Sequence, residues 1–342
     1  MSRPLAVVLE STVEADCPQV EIDELRENSE EIGASLEALG YRTEIVPCPL
    51  DTALVRDHLT ELNPSVVFNL VDSIEGKGNL VSLAPMLLAH MGLPYTGATA
   101  LATSVSCDKI VAKQILRAQK LRTAPWLTEA EILAGGPELE MPYILKSTTE
   151  HASFGIFADS IVENRAELAA RHEEKRQKFG GEWFAEAYID GREFNLSVLA
   201  QENGAAVLPP AEIVFTSDFP QDKPHIVDYC AKWHEESAES IGTVRNFDFT
   251  ARDAKLLGGL KETALACWDA FALTGYARVD YRIDPKGVAY VLEVNCNPFL
   301  TAKEGFGAAA ARMGLSFTDA LRAIVADAYR RSHHPLPKVL AA

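Results

Sequence analysis

The run AYVLEVN at residues 289–295, followed by CNPFLT, sets the strongest limit on what this chain can fold into. Apolar residues there flank an acid, Glu293, and an amide, Asn295, two positions apart. In an extended strand, side chains at i and i+2 leave the backbone on the same face. Glu293 and Asn295 are therefore expected side by side. The run ARVDYRI at 277–283 repeats the arrangement with Arg278 and Asp280. Two neighbouring strands carrying Asp, Glu, Asn and Arg make a hard-cation site beside an anion site, which is what Mg2+ with a polyphosphate requires.

The bulk properties limit the alternatives. A chain of 342 residues exceeds one ordinary core, so two or three domains are expected. The net charge of −17 disfavours non-specific binding to nucleic acid or anionic membrane, so neither is expected as a partner. Any bound phosphate must be held by a local cluster of Lys, Arg and backbone N–H groups. The six cysteines are scattered with no CxxC pair, which argues against zinc or a disulfide framework and for a reducing compartment. No signal peptide opens the chain, and no apolar run approaches the roughly 20 residues of a membrane span. A cytoplasmic protein is the expectation.

In chain order, residues 5–9 (LAVVL), 41–46 and 65–71 (SVVFNLV) read as strands. Helical spacing of Leu25, Ile32, Leu36 and Leu39, a short helix at 55–62 and another at 80–91 alternate with them. This β-α-β-α-β order implies a small open parallel sheet. Residues 108–120 form a helix bearing Lys109 and Lys113, and residues 141–147 (MPYILKS) a strand delivering Lys146. The loop TTEHASFGI at 148–156 is small and polar, suited to laying N–H groups on phosphate. It contains Glu150, His151, Ala152 and Ser153 and ends in Gly155. Arg171, Glu173, Glu174, Lys175 and Arg176 read as the solvated face of a polar helix at 162–178. A strand at 182–189 leads to Asp190-Gly191, a hairpin turn signal, then to further antiparallel strands at 193–200 and 205–208. Residues 216–239 lack periodicity, as a functional or mobile loop does. A long helix at 254–273, helices at 305–313 and 317–331, and a frayed tail at 332–342 complete the chain.

The order of these pieces resembles the ATP-grasp superfamily and, within it, the D-alanine–D-alanine ligase family. The resemblance spans about residues 65–314 and rests on segments 93–113, 144–156, 186–198, 277–283 and 292–301. It implies an α/β fold with α+β domains: an N-terminal open parallel domain (1–100), a central lid domain (101–185), and a C-terminal domain with the metal site (186–332), before a tail (333–342). ATP would lie between the central and C-terminal domains. Lys109 and Lys146 are similar to the family's phosphate-binding lysines. Glu186, Ala187, Tyr188 and Ile189 look like the hinge that reads adenine, with Leu292 among the expected nucleotide contacts. Glu193 looks like the ribose carboxylate, and Lys232 like the mobile-loop lysine at the terminal phosphate. Asp280, Glu293 and Asn295 resemble the ligands of two Mg2+ ions, with Mn2+ as an alternative. Arg278 resembles the residue that stabilises the transferring phosphoryl group, with Ser153 and Lys232 as further catalytic residues. Homodimers are the assembly that the resemblance implies.

The departures from that family lie in the substrate half. The N-terminal glycine-rich turn is replaced by ESTVEAD at 10–16, with Glu14 the substitute for its acid. The family's loop hydroxyl is absent at Ala152, and its tyrosine partner reads Trp233. A family histidine aligns with Asp72. The pair that grips the second substrate's carboxylate falls on Glu304-Gly305, which would repel an anion. Asn297 and Phe299 complete the expected substrate contacts. His151 stands open between substrate contact and an exposed loop residue. Cys296 stands open between a nucleophile and a packed thiol, and with no His near it in sequence the packed reading is favoured.

Together these readings imply an ATP-dependent carboxylate–amine ligase working through an acyl phosphate on small amino-acid-like molecules. They point away from D-alanyl-D-alanine synthesis. Intramolecular cyclisation, phosphoryl transfer, and a non-catalytic nucleotide-binding relative are the alternatives.

Overall fold

Strands Leu5–Ser11 (β1), Arg42–Cys48 (β2) and Val66–Asn69 (β3) pair in parallel in the order β2-β1-β3 in the computed structural model, which describes residues 3–12, 18–137 and 141–340. The central strand β1 is buried almost throughout, as a parallel strand covered on both faces must be. Helices Gln19–Ala38 (α1) and Thr52–Leu62 (α2) supply the crossovers. Asp51 caps α2 by accepting the Ala53 N–H, satisfying one of the free donors of its first turn.

Helices Leu83–His90 (α3), Ala100–Cys107 (α4) and Lys109–Ala118 (α5) follow. Asp108 ends α4 and caps α5, its carboxylate accepting the Ile110 and Val111 N–H groups. That tight junction places Lys109 at the first position of α5. Strand Trp126–Leu127 (β4), helix Glu129–Leu133 (α6), strands Tyr143–Ser147 (β5) and Ile161–Val162 (β6), helix Arg165–Phe179 (α7) and strand Trp183–Ala187 (β7) form a second unit. Its antiparallel sheet runs β4-β7-β5-β6.

The third sheet contains Arg192–Gln201 (β8), Gly204–Val207 (β9), Ala211–Phe215 (β10), Thr243–Asn246 (β11), Tyr276–Ile283 (β12) and Ala289–Asn295 (β13). Its order is β11-β10-β8-β12-β13, with β9 also paired to β8. Short helices Tyr229–Trp233 (α8) and Ala238–Ile241 (α9) lie between β10 and β11; Ala254–Ala270 (α10), Gly305–Arg312 (α11) and Phe317–Arg331 (α12) complete the set.

Two apolar clusters hold the third sheet. One packs α10 against Phe194, Val198, Ala277 and Val279. The other joins Leu321, Ile324 and Val325 of α12 to Ile32 and Leu36 of α1, Val8 of β1 and Leu199 of β8. Each such fully buried aliphatic side chain contributes about 1.5–3 kcal/mol, so β8, β12 and β13 form a rigid platform. No helix among the described residues is long and apolar enough to cross a membrane.

Several local expectations change. Asp190-Gly191 makes no hairpin, because β7 and β8 belong to different sheets. The glycine is required instead by close approach: at φ +142°, a Cβ would stand 2.0 Å from the Ile283 carbonyl oxygen. Lys175 is not on a solvated face. It is buried, and its ammonium donates to the Gly155 carbonyl at 2.9 Å and to Asp159 at 2.8 Å. The segment 216–239 holds short helix α8 and the start of α9, and it is flanked by two strands that were not expected, β10 inside the sheet and the polar edge strand β11. The tail does not fray up to Leu340: Val339 and Leu340 pack on the α1–α12 core.

Candidate active site

The strand pair β12–β13 brings its polar residues together as period-two geometry requires. Arg278 lies opposite Asn295 and Asp280 opposite Glu293. Beyond Asp280 the register shifts, so that Tyr281 pairs with Val291. The extra residue, Leu292, makes a β-bulge that leaves both Leu292 and Glu293 half-buried on β13. Bulges commonly re-aim side chains beside functional sites. Arg278 grips Asp280 with two donors, Nε to Oδ1 and Nη2 to Oδ2, both at 2.8 Å. Asn195 of β8 donates to the same carboxylate at 2.8 Å. Asn195 escaped sequence reasoning, although its alternation with Glu193 places it on the face that carries the acids.

The loop after β5 reaches this corner from the second sheet. Its shape is fixed by backbone and side chain alike. Ala152 and Ser153 adopt left-handed φ values of 59° and 60°, unusual for residues with a Cβ and frequent at functional loops. The Lys109 ammonium donates to the Glu150 carbonyl at 2.6 Å, and Glu150 accepts the Gly78 N–H at 3.1 Å. His151 reaches Glu293, Nδ1 to Oε1 at 2.8 Å, and its Nε2 lies 3.2 Å from the Cys107 Sγ. Both ring nitrogens are thus engaged within the protein, which leaves neither free for a substrate. Burial would raise the Glu293 carboxyl pKa, but the His151 bond, Lys109 and Arg278 outweigh it and hold the group well below the ordinary range.

The segment 216–239 closes on the same loop. The Ser153 hydroxyl donates to the Val227 carbonyl at 2.7 Å, and the Trp233 indole N–H donates to the Ala152 carbonyl at 3.1 Å. The two positions that lack the family's hydroxyls are therefore in contact, joined by an indole–carbonyl bond. One turn earlier in α8, Tyr229 donates to Glu21 of α1 at 2.7 Å. Lys232 keeps contact with solvent. Surrounding protein atoms displace part of its water and, with the Arg278 charge, lower its ammonium pKa, opposed by Glu293, Glu304 and Glu24. Burial raises the Glu24 carboxyl, with Lys232 acting against it and Glu304, Glu235 and Glu21 adding to it. Glu21, Glu24 and Tyr229 had no sequence signal, since α1 and α8 meet only in the fold.

Between the second and third sheets lies a chain of ions. Glu186 is buried between Lys113 and Lys146, each 2.5 Å from one of its oxygens. Lys113 also donates to Thr123 and to the Ala124 carbonyl. The N–H groups of Ala187 and Tyr188 already donate to the carbonyls of Pro125 and Pro142, so these two hinge donors are occupied; those residues' carbonyl oxygens and Ile189 continue the segment. Glu193 pairs with the buried Arg282 at 2.8 Å, a partner that the sequence did not suggest.

Among the residues expected to meet substrate, Asp72 accepts from the Ser11 hydroxyl at 2.7 Å at the carboxyl end of the parallel sheet. Asn297 accepts from the Tyr276 hydroxyl and donates to the Val71 carbonyl, tying β13 to β3, with Phe299 half-buried beyond it. Glu304 is exposed and lies 3.1 Å from Arg245 of β11, so its charge is partly neutralised. Glu14 lies outside the described residues. Cys296 is buried, and burial pushes its thiol pKa up, which fits a packed residue and not a nucleophile.

The donors Asp280, Glu293 and Asn295 are all oxygen, the set that Mg2+ prefers. Among the described residues Glu293 Oε2 takes no hydrogen bond, and no group of three His, Cys, Asp or Glu side chains is gathered as a closed cage. Asp280 Oδ2 and Asn295 Oδ1 each accept one hydrogen bond, from Arg278 and from the Asn297 N–H, and keep a second lone pair, so the three side chains leave an open set of the kind that Mg2+ completes with phosphate oxygens and water. The residues present fit the metal.

Comparison with known proteins follows the same outline. Residues 116–326 match the family model described as the D-ala D-ala ligase C-terminus. A D-alanine–D-alanine ligase of Synechococcus sp. (strain JA-2-3B'a(2-13)) is 30% identical over 315 residues, covering 88% of this chain and 89% of that protein. The D-alanine–D-alanine ligase of Moorella thermoacetica is 31% identical over 304 residues, covering 86% and 91%. The uncharacterized protein y4sG of Sinorhizobium fredii is 26% identical over 310 residues, covering 89% and 88%. Among solved structures, the Bacillus anthracis D-alanine–D-alanine ligase complexed with ATP superposes with a TM-score of 0.69 at 22% identity, over 96% of this chain and 99% of that one.

Proposed function

The chain belongs to the D-alanine–D-alanine ligase family of ATP-grasp enzymes, and from that premise we propose how this member works and which substrates it takes. As a member it is an ATP-dependent carboxylate–amine ligase, forming a C–N bond. In our reading, residues 1–100, 101–185 and 186–332 are its three domains, and ATP sits between the second and third sheets. One substrate carboxylate oxygen attacks the terminal phosphorus, and ADP leaves. An amine then attacks the acyl carbon, loses its proton and displaces phosphate. The product is an amide between two amino-acid-like molecules. Homodimer assembly and a cytoplasmic setting belong to the same proposal.

The roles follow from charge and position. Lys109, Lys146 and the N–H groups of the 148–156 loop bind the phosphates. The hinge 186–189 and Leu292 contact the base, and Glu193 the ribose. Arg278, oriented by its two bonds to Asp280, presents a planar, fixed positive charge to the transferring group. Lys232 adds a second cation from the loop that closes over the site, and Ser153 anchors that loop. Asp280, Glu293 and Asn295 would hold Mg2+, which when bound would neutralise phosphate charge. Catalysis is positional and electrostatic, with no covalent bond to the protein.

The observation that carries this reading is the facing pair Asp280 and Glu293 with Arg278 bonded to the first. The substrate half supports a pair other than two D-alanines: Glu304 stands at the entry for the second substrate, Asp72 replaces a histidine, and Trp233 fills the tyrosine position. Arg245 softens the first of these arguments but leaves Glu304 an acceptor for a cationic or neutral polar group. A screen of amino-acid pairs for phosphate release tests the proposal. Robust turnover with D-alanine alone would sink the substrate part and leave the ligase reading intact.

A further inference from the structure

Three groups from three parts of the fold meet at one imidazole. His151 comes from the phosphate loop, Glu293 from β13 and Cys107 from the end of α4. An ionised carboxylate only accepts hydrogen bonds, so His151 Nδ1 carries the proton in its 2.8 Å bond to Glu293 Oε1. In the neutral ring Nε2 is then an acceptor, and the Cys107 thiol 3.2 Å away is its donor. Cys107 also lies 3.2 Å from the Gly78 carbonyl and 3.3 Å from the Thr149 carbonyl. The two carbonyl oxygens can only accept, so this sulfur keeps its one proton, which it gives to one acceptor at a time. Burial agrees, pushing the thiol to about 12. The chemistry therefore fixes one tautomer and one ring orientation, and excludes Cys107 as a nucleophile despite its resemblance to a Cys–His–Glu triad.

We propose that His151 is the positioning residue for the metal carboxylate, held by Cys107 and holding Glu293 Oε1 so that Oε2 remains for the cation. The inference rests on the reading of Glu293 as a metal ligand. It assigns His151 a role toward the protein's own ligand in place of contact with substrate. Hydrogen bonds to ligating groups orient them, and losing one commonly weakens metal binding about 10–100-fold. Because His151 rides on the loop read as binding phosphate, it also couples that loop to the metal strand: order in either one favours order in the other.

The test measures Mn2+ binding by electron paramagnetic resonance, with a non-hydrolysable ATP analogue bound and no acid or amine present. His151→Ala should weaken Mn2+ binding about 10–100-fold while leaving binding of the metal-free nucleotide unchanged. His151→Asn, whose amide N–H replaces the Nδ1 donor, should recover most of the loss. Equal Mn2+ affinity in wild type and His151→Ala would overturn the proposal, as would His151→Asn binding no better than His151→Ala. If Glu293→Gln binds Mn2+ as tightly as wild type, the metal reading itself fails, a result distinct from failure at His151.

Discussion

Asp280 stands directly opposite Glu293 across the β12–β13 pair, at the last regular position before the register shifts. The backbone ladder fixes the separation of the two strands, and apolar packing against α10 supports the pair from its far face. The two carboxylates are therefore placed by sheet geometry and not by each other. Arg278 and Asn195 restrain the first and His151 the second. Two acids held close by opposed strands repel unless cations intervene; Arg278 already offsets the first, and the proposed metal would offset the second.

Replacing both Glu293→Ala and Asn295→Ala should lower ATP turnover by at least about 100-fold, the scale of losing a main electrostatic element of a site. Steady-state ADP release measures it. Turnover at the wild-type rate would mean that the metal is held elsewhere.

Glu186→Gln should destabilise the protein by about 3–5 kcal/mol, because Lys113 is left buried without its counter-charge. Urea unfolding at neutral pH reads this directly. Burial alone would raise the Glu186 carboxyl pKa, but Lys113 and Lys146 hold it below its ordinary 4.5. The sign follows from that depression. The stabilisation is complete above the unfolded value and is lost as pH falls through the lower folded one. The gap between wild type and Glu186→Gln should thus narrow below pH 4.5, and a constant gap would contradict the ion-pair account.

Glu304→Ser should lower KM for a second substrate bearing a free carboxylate about fivefold, the effect of removing one exposed like charge. Arg245→Ala, which removes the partner 3.1 Å away, should move KM the opposite way. Initial rates at saturating ATP decide it, and no change in either variant would place the second substrate elsewhere.

Gly191→Ala should cost at least about 2 kcal/mol of stability. Its Cβ would meet the Ile283 carbonyl at 2.0 Å, forcing apart the start of β8 and the end of β12. Thermal unfolding checks this; a variant as stable as wild type would show that the crossover is loosely held.

The strand pair was legible because side-chain alternation is a local property and its residues carry distinctive chemistry. The parallel pairing of the first sheet followed from βαβ alternation for the same reason. What escaped was non-local. His151 and Glu293 are 142 positions apart, and nothing near either one announces the other. Lys113 looked like any helical lysine, but the fold drives it to Glu186. Lys175 sat among charges that suggested solvent, yet its ammonium supports the Gly155 turn. Asp190-Gly191 carried a correct conformational signal with the wrong cause. A two-residue turn and a close backbone approach demand the same residue, and only the sheet assignment separates them.

The most direct test of the ligase assignment is product stoichiometry. Purified protein is supplied with ATP, Mg2+ and amino acids in pairs, and ADP, phosphate and the organic product are quantified, with the product weighed by mass spectrometry. The account predicts one ADP and one phosphate per product, whose mass equals that of the two substrates less water. ADP and phosphate released without any such product across the pairs, or tight ATP binding with no turnover at all, would contradict it.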